Sequence, residues 1–101
     1  MAKRTIGKVS DMANAALHGV TIDDKQILLA KVGDTFFAIG NVCTHNGCRL
    51  SGGKLEGENV RCPCHGSGFS LKTGEAVHGP AKNPVPVYHV AVENGELVID
   101  L

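Results

Sequence analysis

Apolar and polar positions along this chain alternate with the two-residue period of strands, not with the helical period. Thr5 to Val9 reads as a first strand, and Ser10-Asp11 as the cap of one short helical turn over Met12 to Ala16. Val20 to Ile22 and Gln26 to Val32 are apolar runs on either side of Asp23-Asp24-Lys25, a hairpin turn, and Gly33-Asp34 turns the chain into Thr35 to Ile39. From Gly40 to Ala81 the pattern breaks up. Gly, Cys, His and Pro dominate there, with short strands only at Asn59 to Arg61, Gly68 to Leu71 and Glu75 to His78. The strand pattern then returns in Val85 to Val92 and Leu97 to Leu101, joined at Asn94-Gly95, a pair suited to a tight hairpin. Pro86 lacks an N–H for a sheet ladder and is expected at the start or edge of its strand. The pattern predicts an all-β protein, with a frame built from both ends of the chain and a loop-rich insert between them.

Size and charge narrow the function. At 101 residues the chain is expected to be one domain, frame 1–40 and 82–101 around an insert 41–81, since halves would be too small to bury a core. Ten Lys and Arg balance ten Asp and Glu, which argues against nucleic acid as a partner. With three Phe, one Tyr and no Trp, stacking on single strands is also disfavoured. Apolar runs such as Ile27 to Ala30 and Phe36 to Ile39 are far shorter than the roughly twenty residues of a membrane span. The start, Met1-Ala2-Lys3-Arg4-Thr5, lacks the apolar stretch of a signal peptide, so a soluble cytoplasmic protein is expected.

The chemistry-bearing residues all fall in the insert. Cys43-Thr44-His45 and Cys62-Pro63-Cys64-His65 are two knots of metal-ligand type, with a further Cys48 after the first. Soft sulfur and borderline nitrogen donors on two short loops suit a metal centre. One Cys and one His per loop suggests a two-iron cluster with cysteines on one iron and histidines on the other. A structural zinc site needs the same four residues and is the alternative. Zinc loops usually space their ligands as C-x₂₋₄-C and H-x₃₋₅-H, whereas each loop here mixes Cys with His. Two thiolates and two neutral imidazoles around a [2Fe–2S] core leave it neutral when oxidised. Such a centre accepts an electron more readily than a four-thiolate one. Gly47, Gly66 and Gly68 are read as letting backbone amides approach the cluster sulfurs, and Pro63 as stiffening the second loop.

Cys43-Thr44-His45-Asn46-Gly47-Cys48 and Cys62-Pro63-Cys64-His65-Gly66-Ser67 have Leu50, Gly53 and Gly57 between them and are followed by Phe69-Ser70-Leu71, Thr73-Gly74 and Gly79-Pro80-Ala81. Over these residues, 43 to 81, the chain resembles a Rieske-type [2Fe–2S] protein. The resemblance implies a Rieske-like fold, an antiparallel sandwich frame with an inserted cluster-binding subdomain. It implies that Cys43 and Cys62 hold one iron while His45 and His65 hold the other through Nδ1. It also implies a disulfide between Cys48 and Cys64, as in the high-potential branch of the family, which many ferredoxins of oxygenase systems lack. Gly47, Gly66, Ser67, Gly68, Phe69 and Pro80 would surround the ligands.

Two departures stand out. Phe69 occupies a position where high-potential members have a Tyr that bonds a ligand sulfur. Lys82-Asn83 replaces the second proline often found in the third loop. Of the other histidines, His18, His78 and His89 read as surface or strand-end residues. Arg49, Lys54 and Lys82 read either as a basic rim for an acidic partner or as scattered surface charge.

No nucleophile–base pair stands apart from the ligands, so a catalytic site is not expected. The expected function is a soluble, monomeric one-electron carrier between a reductase and an oxygenase or other redox enzyme. The alternative is a non-catalytic electron-transfer subunit of a quinol- or metalloid-oxidising complex. A redox sensor is a third class, but no effector segment is visible.

Overall fold

The computed structural model describes residues 3–12, 16–43, 47–64, 66–79 and 82–100. Ten strands are assigned among these residues. They are β1 (Lys3–Lys8), β2 (Leu17–Ile22), β3 (Lys25–Val32), β4 (Thr35–Gly40), β5 (Lys54–Glu56), β6 (Asn59–Arg61), β7 (Gly68–Ser70), β8 (Ala76–His78), β9 (Val87–Glu93) and β10 (Glu96–Asp100). Two short 3₁₀ turns, Val9–Met12 and Leu50–Gly52, complete them. Among the described residues no helix is long and apolar enough to cross a membrane.

The strands form two antiparallel sheets. A six-stranded sheet has the order β1-β10-β9-β4-β3-β2, and a four-stranded sheet the order β5-β6-β7-β8. The first is assembled from both ends of the chain, the second from its middle, as the sequence pattern anticipates. Its tight turns form where the sequence supplies residues that tolerate positive φ. Asp23 and Asp24 (φ 49° and 67°) turn β2 into β3, and Asn94 and Gly95 (φ 54° and 77°) turn β9 into β10. Pro86 lies just before β9, and its carbonyl accepts the Gly40 N–H at 2.8 Å, so it costs the ladder no donor.

The core explains why Ile27 to Ala30 is a continuous apolar run instead of an alternating one. All four residues are buried, and they serve two cores by turns. Ile27 and Leu29, with Ala38 of β4, pack on Leu97 and Ile99 of β10, where the six-stranded sheet closes on itself as a sandwich. Leu28 and Ala30, with Ile39, pack instead on Leu50, Val60, Phe69 and Leu71 of the insert. An antiparallel strand covered on both faces loses the polar half of its alternation. β3 is therefore the layer on which the insert sits.

Several strand ends lie one or two residues from the sequence reading, and three differences are larger. β2 begins at Leu17, three residues early, because it pairs with β3 along its whole length. The short helical turn runs over Val9–Met12, so Ser10 lies inside it; residues 13–15 of the expected turn lie outside the described residues. β5 is absent from the sequence reading. Lys54-Leu55-Glu56 carries a single apolar residue and becomes a strand by pairing with β6 across the turn at Gly57 (φ 60°).

Candidate metal centre

The two cysteine loops are built on the same frame. In the first, an isolated antiparallel bridge pairs Val42 with Arg49 and encloses residues 43–48. In the second, the β6–β7 register pairs Arg61 with Gly68 and encloses residues 62–67. Each loop is closed by the same two backbone bonds. Cys43 N–H donates to the Cys48 carbonyl (2.8 Å) and Gly47 N–H to the Cys43 carbonyl (2.9 Å). Cys62 N–H donates to the Ser67 carbonyl (2.6 Å) and Gly66 N–H to the Cys62 carbonyl (3.2 Å). Gly47 and Gly66 adopt φ of 76° and 77°, which a side chain would oppose. Both glycine amides thus close their own loops, a role the sequence reading had not given them.

Congruent frames carry different side chains. The first position is Cys in both loops, Cys43 and Cys62, and the fifth is Gly in both. The third is His45 in one and Cys64 in the other; the sixth is Cys48 in one and Ser67 in the other. The disulfide joins the sixth position of the first loop to the third of the second, Cys48 to Cys64, with Cα atoms 6.4 Å apart. Cys43 and Cys62 stay outside it and are 1% and 3% exposed, at the floor of the insert core. The sulfurs of Cys48, Cys62 and Cys64 lie within 4.8 Å of one another. Two of those three are spent in the disulfide, so this group is not a three-thiolate site. His45, His65 and Pro80 lie outside the described residues.

Support for the loops comes from Asn41 and Arg61, which the sequence reading does not flag, and from Gly53, which belongs to the resemblance. Asn41, 4% exposed, joins frame to insert: its Oδ1 accepts the Ser51 N–H (2.7 Å) and its Nδ2 donates to Ser51 Oγ (3.1 Å). Its carbonyl accepts the Leu50 N–H at 2.8 Å. Arg61 braces the second loop from outside, Nη1 donating to the Gly66 carbonyl (3.3 Å) and Nε to Glu56 Oε1 (3.1 Å). Gly53 lies flat against the Arg61 carbonyl, where a Cβ has no room. Only its double glycine, Gly52-Gly53, hints at this in the sequence. A buried Asn is not distinguishable there from an exposed one.

Ser67, the last residue of the second loop, and Phe69 of β7 are wholly buried, and Gly68 is a buried strand position whose Cβ would stand 3.2 Å from that of His78. His18, His78 and His89 are exposed on strands, in line with the reading of them as surface residues.

The donor set fits an iron–sulfur cluster. Two buried cysteines outside the disulfide occupy equivalent positions of two congruent loops, and the neighbouring disulfide withdraws the other two sulfurs from ligation. Ligation by all four cysteines is thereby removed, leaving two thiolates to be completed by other donors.

The family model described as Rieske [2Fe-2S] domain matches residues 3–89. The chain is 37% identical over 93 residues to the ferredoxin component of the naphthalene 1,2-dioxygenase system of Pseudomonas putida, covering 92% of this chain and 89% of that one. It is 45% identical over 76 residues to the ferredoxin subunit of 3-phenylpropionate/cinnamic acid dioxygenase of Escherichia coli K12, covering 74% and 72%. Among solved structures, it superposes on one described as a complex of reduced oxygenase and oxidised ferredoxin in carbazole 1,9a-dioxygenase. The TM-score is 0.89 at 32% identity, over 96% of this chain and 100% of that one.

Proposed function

The chain belongs to the Rieske [2Fe–2S] family, and we propose that Cys43, His45, Cys62 and His65 are the ligands of its cluster. It is an electron-transfer protein, not a catalyst, and carries one electron at a time between redox proteins, a reductase on one side and an oxygenase on the other. The bound cluster supplies a single reversible one-electron site. The protein's own residues do the rest. Cys43 and Cys62 anchor the site in the insert core, the two closed loops hold their spacing, and the disulfide ties loop to loop. Gly47, Gly66, Ser67, Gly68, Phe69 and Pro80 complete the surroundings in this reading. The frame 1–40 and 82–101 and the insert 41–81 act together as one domain and as a monomer, in the cytoplasm.

The observation that carries the ligand assignment is the congruence of the loops, with a buried cysteine outside the disulfide at the first position of each. Iron and acid-labile sulfide analysis tests it together with EPR of the reduced protein. Two irons, two sulfides and a signal with average g below the free-electron value are expected. Cys43→Ala and Cys62→Ala should each abolish them, whereas Cys48→Ser/Cys64→Ser should retain them. A colourless, zinc-containing protein would overturn the assignment.

One observation favours a second reading, a subunit of a quinol- or metalloid-oxidising complex: the Cys48–Cys64 disulfide. Reducing compartments disfavour disulfides. Thiol labelling of protein quenched in acid directly from cells separates the two, since a pair found reduced in the cell would remove the ground for this alternative.

A further inference from the structure

The neutral net charge of the chain conceals a separation of charge. In the insert, residues 41 to 81, four Lys and Arg face three Glu; the frame carries six against seven acidic residues. Two of the three Glu are also occupied: Glu56 pairs with Arg61 (3.1 Å) and Glu58 with Lys72 (3.1 Å). Arg49 and Lys54 are exposed and, among the described residues, have no carboxylate within ion-pair distance.

Both sit beside the ligand loops in an equivalent way. Arg49 is bridged to Val42, the residue before Cys43, and Lys54 is in register with Arg61, the residue before Cys62. A pocket of about 270 Å³ opens beside the second loop. It is lined by Gly52, Gly53, Lys54, Arg61, Pro63 and the buried Cys62. Gly53 admits no side chain against the Arg61 carbonyl.

We propose that this flank, through Arg49 and Lys54, is a docking face for a carboxylate-bearing surface of the redox partner. The proposal rests on the electron-carrier reading and adds the sign and place of recognition. Unpaired cations next to an electron-transfer site raise the encounter rate with anions and lower it with cations. An acidic partner would meet Arg49 and Lys54 while the exposed apolar side chain of Val42 lies against its surface.

Stopped-flow oxidation of the reduced holoprotein tests the field. One electron leaves the protein and reduces either hexacyanoferrate(III), an anion, to hexacyanoferrate(II), or tris(1,10-phenanthroline)cobalt(III), a cation, to its cobalt(II) form. The rate with the anion should fall about tenfold between low and high salt, while the rate with the cation should rise or stay flat. Arg49→Glu/Lys54→Glu should reverse the two slopes, and the neutral pair Arg49→Gln/Lys54→Gln should flatten them. Lys25→Glu/Lys31→Glu, an equal charge change on β3, should leave them as they are.

Poly-L-glutamate then tests the docking face. It should slow oxidation of the wild type at low salt and lose this effect in Arg49→Glu/Lys54→Glu; poly-L-lysine should not slow it. Equal salt slopes for the two oxidants, or protection by poly-L-glutamate that survives the charge reversal, would overturn the proposal. The EPR signal of every sample is recorded first. A sample with an intact signal and no charge preference refutes the docking face alone, whereas absence of the signal refutes the carrier reading.

Discussion

Replacing Asn41 by alanine tests whether the insert is held to the frame through one buried polar joint. The side chain makes two hydrogen bonds to Ser51, at 2.7 Å and 3.1 Å, from a position 4% exposed. Alanine keeps the backbone bonds from Leu50 and to Gln26 but removes both side-chain bonds and strands the Ser51 N–H. Each lost bond costs about 1 kcal/mol net, and an orphaned part-buried donor adds to that, so about 2–3 kcal/mol is expected. For a domain of this size that lowers Tm by roughly 8–20 °C. Ser51→Ala spares the stronger bond and should cost about 1 kcal/mol. The double variant should cost no more than Asn41→Ala alone, a coupling of about 1 kcal/mol. Gly19→Ala approaches the same joint from β2, since its Cβ would stand 2.9 Å from Asn41 Nδ2 and 3.0 Å from Ser51 Oγ. Thermal unfolding followed by far-UV circular dichroism, with cluster absorbance recorded in parallel, provides the assay. An Asn41→Ala Tm within about 3 °C of wild type would refute the reasoning. So would strict additivity of the two substitutions.

Three further outcomes are expected. Phe69→Tyr places a hydroxyl in a wholly buried position of the core shared with Cys43 and Cys62. A bond from it to a ligand sulfur that favours the reduced state by about 1 kcal/mol raises the potential by about 40 mV in a redox titration, and Ser67→Ala should shift it downward; no rise in the first case removes Phe69 from the account. Gly53→Ala drives a Cβ into the Arg61 carbonyl and should abolish accumulation of folded protein, while Gly57→Ala, with open space around its Cβ and only a positive φ to oppose it, should cost about 1 kcal/mol by urea titration. Removing the Cys48–Cys64 bridge, which spans a sequence separation of 16, should cost about 3 kcal/mol in cluster-free protein by chain entropy. The cost should be smaller in the holoprotein, where the cluster ties the same loops, and equal losses in the two forms would show that it does not.

The sequence alone settles what depends on a few neighbouring residues. Asp23-Asp24 and Asn94-Gly95 announce their turns because positive φ is a local demand on residue type. The positions of the strands in the frame are legible for a similar reason, since burial of one face imposes alternation. The Cys and His spacing marks the metal loops because ligands of one loop must lie within a few bonds of each other. Tertiary structure decides everything that depends on contacts between distant segments. Ile27 to Ala30 is legible as apolar, but only the sheet on one side and the insert on the other explain why all four residues are buried. Asn41 is an ordinary polar residue until Ser51, ten positions on, closes over it. β5 is a strand through its partner β6, not through its own composition. The pairing of Cys48 with Cys64 was implied by family resemblance and not by spacing, because four cysteines within reach admit several pairings. It is the two congruent loops that bring the sixth residue of one to the third of the other, leaving Cys43 and Cys62 for the metal.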